Sequence, residues 1–217
     1  MIRFLPHTIA ASLWVLAAWA WPRMPEEMPV HWGIHGEVDR WGSRAEGVLL
    51  LPAVATAALL LFVVVPRFDP GRANFTQMRG PWIGVQTSIL AVLGVTYGAS
   101  LGLYPMGAAL PFTLGGMFML LGVFMGKIRP NYSLGVRTPW TLASKLSWTR
   151  THRAAGFGFL VSGALMFLGA LYSPEAAFIM LVTTLPVLIV GLFVYSWLVW
   201  KRDPERIPPS GTTPASG

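Results

Sequence analysis

Two segments of this chain hold the side chains able to do chemistry. The first runs Met28-Pro29-Val30-His31-Trp32-Gly33-Ile34-His35-Gly36-Glu37-Val38-Asp39-Arg40-Trp41-Gly42. His31, His35, Glu37 and Asp39 could offer nitrogen and oxygen ligands to a divalent cation. Their spacing matches no zinc signature such as His-Glu-x-x-His, so no metal and no cofactor is assigned. Ordinary roles also fit: Asp39 caps a turn, His31 bonds to backbone, and the tryptophans rest at a membrane interface. A proline and three glycines predict a compact, ordered segment with turns at positive φ. His31, Gly36 and Asp39 are its candidate binding residues.

The second segment, Gly126 to Arg153, mixes Arg, Asn, Tyr, Trp, Thr and His. That composition suits recognition. The residues expected to bind a ligand or partner are Asn131, Arg137, Thr138, Trp140, Trp148, Thr151, His152 and Arg153. Arg137 and Trp140 are expected to form a fixed site with Asn131 and His152. Thr138 suits a helix N-cap with Pro139 at the first helical position. Trp140, Leu142, Leu146 and Trp148 would then form the apolar side of a short interfacial helix. The plainer alternative is an amphipathic connector whose cations meet phospholipid heads.

What must position these segments is a set of long apolar runs. Of the 217 residues, 54% are hydrophobic and 12% charged, about half the charge of an ordinary soluble domain. Apolar runs span Phe4 to Pro22 and Gly47 to Pro66. Gly80 to Gly126 has no charged side chain, and Ala154 to Trp200 has only Glu175. Each of the last two is too long for one span and turns in the middle, at Tyr104-Pro105-Met106-Gly107 and at Tyr172-Ser173-Pro174-Glu175. The expected fold is all-α: a polytopic integral membrane bundle of about six transmembrane helices. Its expected units are a two-helix unit over 1–66 with the His-Trp-Gly loop, a four-helix unit over 67–203, and a flexible tail over 204–217. Ala18-Trp19-Ala20 also fits a signal-peptide cleavage site; the segment is expected to stay as a span.

Thirteen Lys and Arg fall on one side of a six-span arrangement and three on the other. The positive-inside rule then puts both termini and the 127–153 loop in the cytoplasm of a bacterial inner membrane, and the His31 loop outside. The net charge of +7 serves this topology and anionic lipid heads, so no nucleic-acid binding is expected. With no cysteine, thiol catalysis, disulfides and thiolate metal sites are excluded. No nucleophile elbow, phosphate loop or metalloprotease motif is present, and an enzyme is not expected. A small-molecule or lipid transporter is the alternative, with Gln86, Thr87, Ser88, Thr96, Thr183 and Thr184 as a polar path; such residues more often bond within helices. Gly94, Gly98 and Gly102 predict one smooth helix face, and Gly156, Gly163 and Gly169 add small residues to the fifth span.

The second segment resembles the SdpI immunity-protein family, whose hallmark is similar to Lys127–Ser144 (KIRPNYSLGVRTPWTLAS) followed by Trp148, Thr151, His152, Arg153 and Gly156. The first segment resembles the domain of unknown function that often precedes that hallmark. The resemblance implies a membrane protein that protects a cell from a secreted, membrane-active peptide toxin. It also implies a signalling role, in which the best-understood member holds a transcriptional autorepressor at the membrane. The partners implied are membrane lipids, a secreted peptide toxin and a cytoplasmic autorepressor.

Overall fold

The structure is a computed structural model and describes residues 2–206. Residues 207–217 of the expected flexible tail lie outside the described residues. The elements in order are α1 (Leu5–Ala20), β1 (Glu27–Trp32), β2 (Val38–Ser43), α2 (Arg44–Phe68), α3 (Arg72–Phe75), α4 (Arg79–Ser100), α5 (Met106–Met125), α6 (Pro139–Leu142), α7 (Lys145–Tyr172) and α8 (Pro174–Lys201).

Helices α2, α4, α5, α7 and α8 are long and apolar enough to cross a membrane. At 1.5 Å per residue, the 20 residues of α5 span about 30 Å, the thickness of a hydrocarbon core. α1 has 16 residues, about 24 Å. A 3-10 turn at Ile2–Phe4 extends it by roughly 6 Å. The apolar faces point outward: Val187, Val190, Leu168, Leu171, Leu60 and Leu61 are all exposed. In a bilayer these are the lipid-facing side chains.

The chain alternates between two ends. One end holds the β-hairpin, the α4–α5 turn and the α7–α8 turn. The other holds α3, the 126–144 loop, α6 and the start of α7. α7 packs along both α5 and α8. The α5–α7 crossing is close because glycines face each other. A methyl group on Gly122 would sit 2.7 Å from the Gly156 carbonyl oxygen, and one on Gly115 would sit 3.0 Å from that of Gly163. This is the small-residue packing typical of membrane helices. The expected smooth face at Gly94, Gly98 and Gly102 does not form. Gly102 lies beyond the end of α4 at φ +74, and Gly98 faces the Tyr104 ring.

Two apolar clusters hold the bundle together. Near the hairpin, Leu13 and Ala17 of α1, Met28 of β1, Val48 of α2, and Leu90 and Tyr97 of α4 pack together. Beneath the 126–144 loop, Phe75, Met78, Met125, Ile128, Trp148 and Leu192 form the second. Of the polar residues within the spans, Ser88, Thr183 and Thr184 each donate to a carbonyl of their own helix, while the Thr87 hydroxyl is buried without a partner.

Two local elements differ from expectation. Residues 27–43 form an antiparallel β-hairpin with bulges between Pro29 and Trp32. The expected interfacial helix over 140–148 is one turn only. Thr138 does cap it, in a capping box with Thr141, and Pro139 is its first residue. Ser144 then caps a new helix by accepting from Ser147 N. Trp148 therefore belongs to α7 and is buried, while Leu142 stays exposed, so the four apolar residues share no face.

Candidate functional site

The 126–144 loop has little regular structure, so its backbone groups need partners from elsewhere. Asp69, at the end of α2, supplies several. Its carboxylate is 4% exposed. It accepts from Gly71 N at 2.6 Å, from Tyr132 N at 3.0 Å and from the Ser133 hydroxyl. Asn74 reaches the same place, donating to the Pro130 carbonyl at 2.7 Å. Asn131 folds the turn from inside. Its Oδ1 accepts from Ser133 N at 2.9 Å and Leu134 N at 2.6 Å, while its Nδ2 donates to the Arg129 carbonyl.

The middle of the loop is fixed by His152. Val136 N donates to His152 Nε2 at 3.0 Å, and Nδ1 lies 2.8 Å from the Trp148 carbonyl. An acceptor role at Nε2 requires the proton on Nδ1, so both bonds together define the neutral Nδ1–H imidazole. The ring stacks on Trp148, with centroids 4.1 Å apart. Trp148 donates its indole N–H to the Ile128 carbonyl at 2.9 Å. Gly135 lies against the open edge of the imidazole at φ +104, where a side chain would meet Nε2.

The far end of the loop is tied to α8. Thr138 Oγ1 donates to Ser196 Oγ at 3.0 Å, and Ser147 Oγ donates to the Ser196 carbonyl at 2.8 Å. The Ser144 hydroxyl donates to the buried carboxylate of Asp203. Trp140 packs edge-on against Phe193 at 4.7 Å.

The expected residues of this segment thus divide. Asn131, Thr138, Trp148 and His152 are buried and bond to the loop or its anchors, while Thr151 is buried with its hydroxyl unpartnered. Arg137 and Arg153 are exposed. Arg137 donates to the Tyr132 carbonyl, not to Asn131 or His152, and no carboxylate pairs with it among the described residues. The four residues expected to make one site share no hydrogen bond or ring contact and are linked only through the loop backbone. Asp69, Asp203, Ser144 and Ser196 hold the loop but are not among the expected binding residues.

The remaining three candidates, His31, Gly36 and Asp39, lie on the hairpin at the opposite end of the bundle. His31 Nδ1 and Asp39 Oδ1 are 2.6 Å apart across the strands. His35 instead reaches Glu175 at the start of α8, also at 2.6 Å. That bond, aided by the nearby negative charge of Glu175 and Glu37, raises the His35 pKa above its usual value. Among the described residues, no group of three or more His, Asp and Glu converges as a metal site. Gly36, at φ +82, lets the hairpin tip rest directly on Gly107 of α5. Met28 is buried against Gly47, and Ser100 Oγ donates to the Pro29 carbonyl at 3.3 Å.

Outward apolar faces on five spanning-length helices, with the polar segments gathered at the two ends, define a polytopic α-helical membrane protein. Residues 127–196 match the SdpI/YfhL protein family, and residues 8–56 match a domain of unknown function, DUF1648. The chain is an SdpI-family membrane protein with an N-terminal DUF1648 segment. It is also 39% identical over 57 residues to an uncharacterized protein of Archaeoglobus fulgidus, covering 26% of this chain and 31% of that one. The chain therefore spans about a third of the length of that relative. No solved structure matches it.

Proposed function

We propose that this chain is an immunity and sensing protein of a bacterial inner membrane, binding its partners without chemical turnover. The observation that carries the reading is the coincidence of the family segment with a loop held in one shape. From Lys127 onward, Asp69, His152 and Ser196 fix the backbone, and Arg137 and Tyr132 are left on the surface. A loop serving only as a topology signal needs charge there, not a fixed shape.

The orientation follows from charge. The end bearing the loop carries thirteen Lys and Arg, the hairpin end three, so the loop and both termini are cytoplasmic. A secreted peptide toxin would meet the hairpin, with His31, Gly36 and Asp39, and a cytoplasmic autorepressor would meet Arg137. Reporter fusions after Gly36 and after Ser144 are expected to report opposite compartments, Ser144 inside; Ser144 outside reverses the assignment.

Arg137→Lys tests the function. Lysine keeps the charge and loses the planar fork. Losing one directed, charge-assisted bond costs roughly 1.5–3 kcal/mol, or about ten- to hundredfold in affinity. A sensitive bacterium expressing the wild type should survive a membrane-active peptide toxin, and one with matched levels of Arg137→Lys should lose that protection. Equal protection by both would reduce the loop to a topology signal. No protection by the wild type against any such peptide would favour transport over immunity.

A further inference from the structure

At the basic end, a groove of about 490 Å³ lies where α4, α5 and α7 meet the 126–144 loop. Lys127, Arg129 and Arg153 line it, with Gln77, Thr149 and Trp148. All three cations are exposed. Among the described residues none of them is in an ion pair; the three pairs present all lie on the hairpin side. The nearby carboxylates are otherwise engaged. Asp69 is held by Gly71 N, Tyr132 N and Ser133, and Asp203 by Ser144 and Glu205 N. Glu205 lines the adjoining groove with Arg129 and Lys145 but pairs with neither. Three unneutralised cations around one concavity fit an oxyanion with several acceptor oxygens.

A second cavity, of about 220 Å³, is lined by apolar side chains and by Gly135 of the loop. Val85, Ile89, Leu121, Phe124 and Phe159 line it. Ile128 borders both spaces. Pro81 lines the groove and Val85 the cleft, so the cleft is one helical turn further along α4, toward the middle of the span. Gly126 and Met125 repeat this order at the end of α5. Polarity therefore changes with depth as it does in a phospholipid, from charged head to hydrocarbon.

We propose that this composite site holds one anionic phospholipid, its phosphate on Lys127, Arg129 and Arg153 and part of an acyl chain in the cleft beside Ile89 and Phe124. Free phosphate offers the same oxyanion but leaves the cleft without a role, as would an acidic protein segment. The site is independent of the immunity reading, since it requires no toxin and no repressor.

The test uses the full chain, delipidated in detergent and titrated with phosphatidylglycerol or phosphatidylcholine, with bound lipid counted by native mass spectrometry. One phosphatidylglycerol should be retained, and phosphatidylcholine should not. Each surface cation contributes about fivefold to anionic-lipid affinity. Lys127→Gln with Arg129→Gln and Arg153→Gln should therefore weaken retention roughly 100-fold. A second variant with Arg129→Lys and Arg153→Lys should keep most of it, which separates charge from misfolding. Ile89→Trp, which fills the cleft, should weaken phosphatidylglycerol binding and leave inorganic phosphate binding unchanged. Equal retention of the two lipids, or of phosphatidylglycerol by the triple Gln variant, would overturn the proposal. So would an Ile89→Trp variant that binds phosphatidylglycerol as the wild type does while millimolar inorganic phosphate displaces the lipid, which would mark a free-phosphate site.

Discussion

Asp69→Ala is expected to release the 126–144 loop from the bundle while leaving the spans assembled. The carboxylate accepts from Tyr132 N, from the Ser133 hydroxyl and, within its own turn, from Gly71 N. Hydrogen bonds to a charged group are worth about 1.5–3 kcal/mol each, and a buried donor left unpaired costs about 1–3 kcal/mol. Water can enter at the loop surface and satisfy part of this, so the expected loss is about 3–4 kcal/mol and not the full sum. The consequence is local opening, because the hydrogen bonds of the Asp69 carboxylate go to the loop and to Gly71 ahead of α3. Trypsin reports it at the bond after Arg137, whose neighbour Thr138 is 7% exposed and tied to Ser196. Where cleavage is slow against reclosing, its rate follows the open population. The rate should then rise on the order of 10²-fold. Asp69→Asn keeps one acceptor oxygen and should fall between. An unchanged cleavage rate in Asp69→Ala would show that Asn131, Asn74 and His152 hold the loop without it.

Asp69 also marks where the sequence stops being informative. The spans were legible because a long apolar run has few alternatives. The run expected over Gly47 to Pro66 is α2 at Arg44–Phe68, and the turns expected at Tyr104–Gly107 and Tyr172–Glu175 join α4 to α5 and α7 to α8. The Thr138-Pro139 cap was legible for the same reason, as local chemistry. The helix it opens is shorter than expected because Ser144 is already the next cap, accepting from Ser147 N. The strands of the hairpin are not evident in the sequence, because Pro29 and three glycines obscure the alternation at Met28, Val30 and Trp32.

Long-range partners carried no such signal. Asp69 lies 63 positions from Tyr132, and Ser144 lies 59 from Asp203. A buried carboxylate satisfied by backbone N–H groups has no complementary cation for a reader to pair it with. The glycines show the same limit from the other side. Gly94, Gly98 and Gly102 have helical spacing, yet the close crossing is built from Gly115 and Gly122 against Gly163 and Gly156. Spacing shows that a face is smooth, and only the fold shows whether another helix lies on it.

Gly135→Ala is expected to be as damaging as losing Asp69, through sterics. Gly135 has φ +104, a conformation that costs an L-residue about 1–3 kcal/mol. Its new methyl would meet His152 Nε2, the atom that accepts from Val136 N. The imidazole cannot swing aside cheaply, because its other nitrogen bonds to the Trp148 carbonyl and its face stacks on the indole. Either the ring or residues 135–136 must move, and the Val136 N–H and Nε2 lose each other, at about 1–3 kcal/mol for this part-buried pair. The combined loss is roughly 3–5 kcal/mol. Gly102→Ala supplies the control. That residue has φ +74 and no atom within 4 Å of an added methyl, so it bears the backbone strain alone. Thermal unfolding in detergent, followed by tryptophan fluorescence, should place Gly135→Ala well below Gly102→Ala. Adding His152→Ala to Gly135→Ala removes the clash, so the pair should destabilise less than the sum of the two single changes. Equal melting of the two glycine variants, or strict additivity with His152→Ala, would mean that the imidazole does not brace the loop.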